Sequence, residues 1–258
     1  MNMSVNFPNS KSKHLNPEQT AEFGRRVDEI RREVMESLGE QDAKYIYKIR
    51  NFVRYSEIAS RGMLMSGGWI PPVWVVGTGL LGISKIVENM ELGHNVMHGQ
   101  FDWLNDPSLN GANYDWDTMS TGDDWKYTHN YIHHTYTNVV GKDHDIGYGL
   151  LRVSESQKWE PRFLLNIPLA IQLMVFFEWY VGVQNLHLED ALIYKTKTWK
   201  QVWADATKFR KKARRQILKD YVFFPVIAGP NALPVLAGNV VANIIRSLWS
   251  SAVIFNGH

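Results

Sequence analysis

Two long apolar stretches, each broken near its middle by glycine and proline, decide most of what this chain of 258 residues can become. The first runs from about Phe52 to Val87 and is interrupted by Gly67-Gly68-Trp69-Ile70-Pro71-Pro72. The second runs from Tyr221 to Phe255, with Gly229-Pro230-Asn231 and Pro234 near its middle. A spanning helix needs roughly 20 apolar residues, so each stretch has the length for two rather short arms. Glycine and proline break helices, and Trp69 and Trp74 suit an interfacial position. The pattern predicts two helical hairpins, the first with arms at about 50–68 and 72–90. The competing reading of the first stretch is one long buried helix of a soluble protein. A third apolar run, 163–183, is weakened as a span by Pro168, Gln172 and Glu178.

The chain's histidines gather just beyond apolar stretches. His94-Asn-Val-Met-His98 follows the second arm directly, and His129-Asn-Tyr-Ile-His133-His134 comes some thirty residues later. Five of the nine histidines lie in these two windows. On a helix, His94 and His98 share a face, as do His129 and His133, so each pair can converge on one ion. His134 points roughly 100° away from His133 and would more naturally reach a neighbouring ion. Neutral imidazoles suit iron, copper, nickel or zinc. There is no cysteine, which excludes disulfides and thiolate-held zinc or iron–sulfur clusters and leaves histidine and carboxylate as ligands. A metal site with room for two ions is the expectation.

Composition narrows the setting. With 45% hydrophobic and 21% charged residues and a mean hydropathy of −0.28, the chain is too polar for a transporter-like bundle, leaving a substantial aqueous part. A net charge of +2 gives nucleic-acid binding no support. The polar first forty residues exclude a secretory signal peptide. Residues 1–15 read as a disordered tail, followed by a helix with Asn16 as N-cap, Pro17 at its first position and Gln19 completing a capping box. Phe23, Val27, Ile30, Val34 and Leu38 form its apolar stripe, and Gly39 ends it. This divides the chain into an N-terminal tail and amphipathic helix, 1–44, and a main domain, 45–258. If both hairpins enter and leave on one side, the histidines and the basic run Lys208-Phe-Arg-Lys-Lys-Ala-Arg-Arg215 share the cytoplasmic face. A fifth span at 163–183 would break that arrangement, so this segment reads as a buried or interfacial helix.

Other residues have plainer readings. His144, in Lys142-Asp-His-Asp145, reads as part of a solvated loop, and His14 and His187 as surface residues. Glu88 and Glu91 precede His94 by one to two turns and are either carboxylates orienting imidazoles or interfacial charges. The Trp- and Asp-rich stretch from Asp102 to Trp125 lines a channel or simply packs.

The histidine pattern, with Gly93-His-Asn-Val-Met-His-Gly-Gln100, His129-Asn-Tyr-Ile-His-His-Thr-Tyr-Thr-Asn138 and Gly141-Lys-Asp143, resembles the membrane fatty acid desaturases, bacterial acyl-CoA and linoleoyl-type branch. The resemblance covers about residues 45–258. It implies an all-α integral membrane fold with about four transmembrane arms and a cytoplasmic helical cap carrying a di-iron centre. His94, His98, His129, His133 and His134 would be iron ligands. In related enzymes a Gly-His pair at the position of His258 leads into the C-terminal segment, which makes His258 a sixth candidate. The family's third histidine box should lie beyond it, so the resemblance implies a C-terminally incomplete member whose activity as written is in question. The implied activity is O2-dependent desaturation of a fatty acyl chain carried on CoA or lipid, at the bacterial inner membrane. A His-Pro-Gly-Gly motif is absent, so electrons are expected from a separate donor of ferredoxin, rubredoxin, flavin reductase or cytochrome b5 type. A hydroxylase on the same scaffold, or a catalytically silent truncated membrane protein, are the alternatives.

Overall fold

The Asn16 side chain accepts a hydrogen bond from the backbone N–H of Gln19, whose side chain accepts one in turn from the Asn16 backbone N–H, and Pro17 opens helix α1 (Pro17–Ser37) as the sequence predicts. The computed structural model describes residues 15–257, so His14 and His258 lie outside the described residues. The chain divides into two compact units, 1–45 and 46–258, with the division falling inside α2 (Glu40–Gly67). Among the described residues all regular structure is helical.

The two predicted hairpins are present in the second unit. The first consists of α2, a turn at 68–70 and α3 (Pro71–Ile86). Gly68 makes that turn possible. A Cβ there would lie 2.5 Å from the Leu64 carbonyl oxygen and 2.7 Å from Cβ of Pro234, so only glycine fits. The second hairpin rises through α11 (Thr207–Ile217), a π-helical segment Leu218–Phe223 and α12 (Phe224–Ile227), turns at Gly229–Asn231, and returns as α13 (Ala232–Gly257). The two tips are stitched together: indole N–H groups of Trp69 and Trp74 donate to the carbonyls of Pro230 and Pro234, both at 2.9 Å. Asn231 Nδ2 donates to the Met65 carbonyl. Leu64, Leu81, Ala228, Val235 and Ala242 fill the space between the hairpins.

Among the described residues one helix, Gly229–Asn256, is by itself long and apolar enough to cross a membrane. Buried charges nonetheless come from all the arms, α13 included. Arg61, Lys85, Asp220 and Arg246 are all at least 93% buried and joined by charge. Lys85 Nζ lies 2.9 Å from both Asp117 and Asp220, and Arg61 lies 3.2 Å from Asp220. Arg246 pairs with Glu178 and donates to the Asp117 carbonyl. Every buried charge there has an opposite partner, as burial of ions demands.

The run 163–183 is two short helices, α7 (Asn166–Val175) and α8 (Phe177–Val183), which together with their flanking turns are bent by 93°. The break falls at Phe176 rather than at Pro168 or Glu178. Pro168 sits in the first turn of α7, where its missing N–H costs nothing. Between the hairpins run short helical turns, including α5 (Gly122–Trp125), α6 (His134–Tyr136), α9 (Leu188–Leu192) and α10 (Trp199–Asp205).

Candidate metal centre

Two π-helical segments deliver the histidines. The α3 helix widens at Val87–Gly93, then resumes as α4 (His94–Met97), with His98 closing it. The second group lies on a π-helix, Lys126–His133, that runs from α5 into α6. Insertions of this kind recur at functional sites, because one wider turn re-aims side chains without ending the helix. Here the widening has a specific effect. In a π-helix residues i and i+5 are bonded neighbours, so His134 comes alongside His129 rather than roughly 140° away as on an α-helix. The ring centroids of His134 lie 4.8 Å from His129 and 5.0 Å from His98. All five imidazoles thus form one cluster, with His134 beside both His129 and His98.

Within it, Nε2 of His94 and Nε2 of His98 are 3.1 Å apart. His129 stands 5.2 Å and 5.3 Å from those two rings, and 5.0 Å from His133, with which it is stacked. Trp125 stacks on the other face of His129 at 4.4 Å. The outer nitrogens are held by carboxylates. Asp143 Oδ2 lies 2.9 Å from Nδ1 of His133, and Asp145 Oδ2 lies 3.3 Å from Nδ1 of His129. Asp145 also accepts from Gln184 Nε2 at 2.6 Å, and Asp143 Oδ2 accepts from the Asn138 backbone N–H at 2.8 Å. A carboxylate on Nδ1 fixes the ring tautomer and leaves Nε2 free to face inward.

Electrostatics favour neutral rings at His94 and His98. Burial, then repulsion from His129, His98 and His134, push His94 down to about 3. Burial and the neighbouring His129 and His134 push His98 down to about 4. Burial raises Asp145, but its bonds from His129 and Gln184 outweigh that and keep it ionised. Inward nitrogens, neutral rings and buried carboxylates behind them fit a metal ion. Two overlapping sets offer ligand atoms within 4.8 Å of one another: His94, His98 and His129, and His129, His133 and Asp145.

Sequence reasoning missed Asp143 and Asp145. The loop around His144 is not solvated: these carboxylates are 4% and 8% exposed. Glu88 does not orient a histidine. It accepts from the Tyr114 hydroxyl and the Asp117 backbone N–H, each at 3.2 Å. His187 is half-buried and stands edge-on to His144.

Beside the imidazoles lies a cavity of about 320 Å³. Its walls are Met90, Trp116 and Trp125 on one side, Phe177 and Val181 of α8 on another, and Val253 and Ile254 of α13. His94, His129 and His134 open onto it, so an apolar chain within it would meet the metal-facing nitrogens. The stretch from Asp102 to Trp125 both packs, with Trp116 and Trp125 against Met97, and borders this cavity through Trp116, Thr118 and Trp125.

The fatty acid desaturase family profile matches residues 68–258. The NADPH-dependent stearoyl-CoA 9-desaturase of Mycobacterium tuberculosis is 43% identical over 252 residues, covering 95% of this chain and 58% of that protein. The sn-1 linoleoyl-lipid 6-desaturase of Synechocystis is 33% identical over 116 residues, covering 43% of this chain and 32% of that protein. The sn-1 linoleoyl-lipid 6-desaturase of Arthrospira platensis is 25% identical over 191 residues, 71% of this chain and 50% of that protein. No solved structure matches. The chain thus spans little more than half the length of the Mycobacterium relative, and it carries the histidine cluster within the matched region. It belongs to the fatty acid desaturase family.

Proposed function

We propose that this chain forms the metal-holding part of an O2-dependent acyl-chain desaturase. Two irons would be held by His94, His98, His129, His133 and His134, with His258 a further ligand outside the described residues. The observation that carries the reading is the convergence of five imidazoles, three of which, His94, His129 and His134, line an apolar cavity, with Asp143 and Asp145 behind His133 and His129. Removing hydrogen from an unactivated methylene needs an oxidant that side chains cannot supply, and the irons with O2 would supply it. The protein's own residues do the rest. Trp116, Phe177, Val181 and Ile254 hold a methylene chain and exclude water. Asp143 and Asp145 hold His133 and His129 in one tautomer and orientation.

The relatives are named for a stearoyl-CoA and for linoleoyl lipids, so an acyl-CoA or acyl-lipid substrate and a separate reduced donor are part of the proposal. So is a multi-pass location in the bacterial inner membrane, with about four arms and the cluster in the cytoplasm. The basic helix supports that side assignment. Lys208 pairs with Asp123, and Lys212 and Arg215 pair with Asp115, so the run touches the loop between the two histidine groups. Exposed Leu164, Ile167 and Ile171 on and before α7 suit an interfacial position for the bent pair.

The test is iron content and acyl-product profiling of His98→Ala and His133→Ala, made in a protein carrying the full length of the relatives. Each variant is expected to lose iron and its unsaturated product. Unchanged iron and turnover in either would remove that histidine from the site.

A further inference from the structure

A second group of metal-ligating side chains lies apart from the five-histidine cluster. His144, His187 and Glu189 present ligand atoms that all lie within 4.8 Å of one another. The two rings meet edge to face with centroids 4.6 Å apart, and Nδ1 of His187 is 3.5 Å from Oε1 of Glu189. His187 occupies the left-handed region, φ 48 and ψ 58, at the junction between the turn Gln184–Leu186 and α9. Few residues other than glycine adopt that conformation. A cavity of about 590 Å³ borders all three side chains and gives an ion and its water a way in.

We propose that His144, His187 and Glu189 form a second metal site, which takes one divalent transition ion of the zinc type. Two imidazoles and one carboxylate, with water in the fourth position, are an established tetrahedral set for zinc. Ligand bonds of 2.0–2.2 Å set tetrahedral donors roughly 3.4 Å apart, so small side-chain rotations close the present spacing. The role that follows is positional. His144 stands between Asp143 and Asp145, the two carboxylates that hold His133 and His129. An ion joining His144 to His187 and Glu189 ties that loop to the start of α9 and so fixes both carboxylates. The inference does not depend on iron or on desaturation.

Zinc itself is the probe. The five-histidine cluster will also take zinc, so the readout is the difference in zinc per chain, by elemental analysis after equilibration against a zinc buffer. The wild-type chain is expected to hold one zinc more than His187→Ala and one more than Glu189→Gln, with helical circular dichroism preserved. The Gln variant keeps the side chain's size and answers the question if the Ala variant fails to fold. Equal zinc in the wild type and Glu189→Gln overturns the site and leaves His187 and Glu189 as an ordinary ion pair. A deficit in both variants, with or without iron in the main cluster, supports it.

Discussion

At the scale of single residues, the informative groups are the two aspartates that never face the cavity's apolar walls alone. Asp143 bonds both the His133 ring and the Asn138 backbone, so replacing it removes a brace while leaving every imidazole in place. Asp143→Asn is expected to weaken iron binding by about 10–100-fold, the usual effect of losing a partner behind a ligand. An iron-chelator competition checks it, and an unchanged affinity would show that His133 needs no such brace. The histidines were legible in the sequence because their spacing is itself a geometric statement. The aspartates were not, because Lys142-Asp-His-Asp145 has the composition of a solvated loop. Both are buried, and Asp145 is held there by Gln184, 39 residues on. Acid acts at this scale too. Between the ordinary histidine value near 6.5 and the lowered values of His94 and His98, an unfolded chain takes up protons that the folded cluster refuses. The cluster's contribution to stability is therefore intact above about pH 6.5 and lost progressively below it.

Among the elements, the hairpins were readable and the π-helical segments were not. Gly-Pro breaks in apolar runs are strong local signals, and both turns fall where the sequence places them. A single extra residue in a helical turn has no comparable composition, yet it decides where His134 points. The bend at Phe176 is equally silent in sequence, since no glycine or proline marks it. The tip of the first hairpin offers a direct test of element packing. Gly68→Ala puts a methyl group against the Leu64 carbonyl and Pro234, and neither backbone nor proline ring can turn aside. Overpacking of this kind costs about 1–3 kcal/mol. The expected result is a lower melting temperature in detergent. An unaltered one would mean that the two tips slide apart freely, despite the Trp69 and Trp74 bonds.

For the whole molecule, orientation is the open quantity that one experiment fixes. The chain has no cysteine, so single replacements at Asn110 and Arg210 report without background. Asn110→Cys and Arg210→Cys are expected to be labelled by an impermeant reagent from the same, cytoplasmic side. Labelling from opposite sides would contradict the contacts of α11 with Asp115 and Asp123 as well as the proposed topology.

The buried ions have a consequence for how such a chain is made. Lys85 meets Asp220 across 135 residues, and its other partner, Asp117, lies 32 residues on. When the first hairpin has just left the ribosome, Asp220 has not been synthesised and Asp117 has not emerged. An unpaired lysine in an apolar setting is costly and stays at a wet boundary until a counter-charge arrives. The first hairpin therefore emerges as an unfinished piece, with its lysine still unpaired. It settles only when the second hairpin brings Asp220. Completion of this buried charge network thus waits on the second hairpin, 135 residues after the lysine it neutralises.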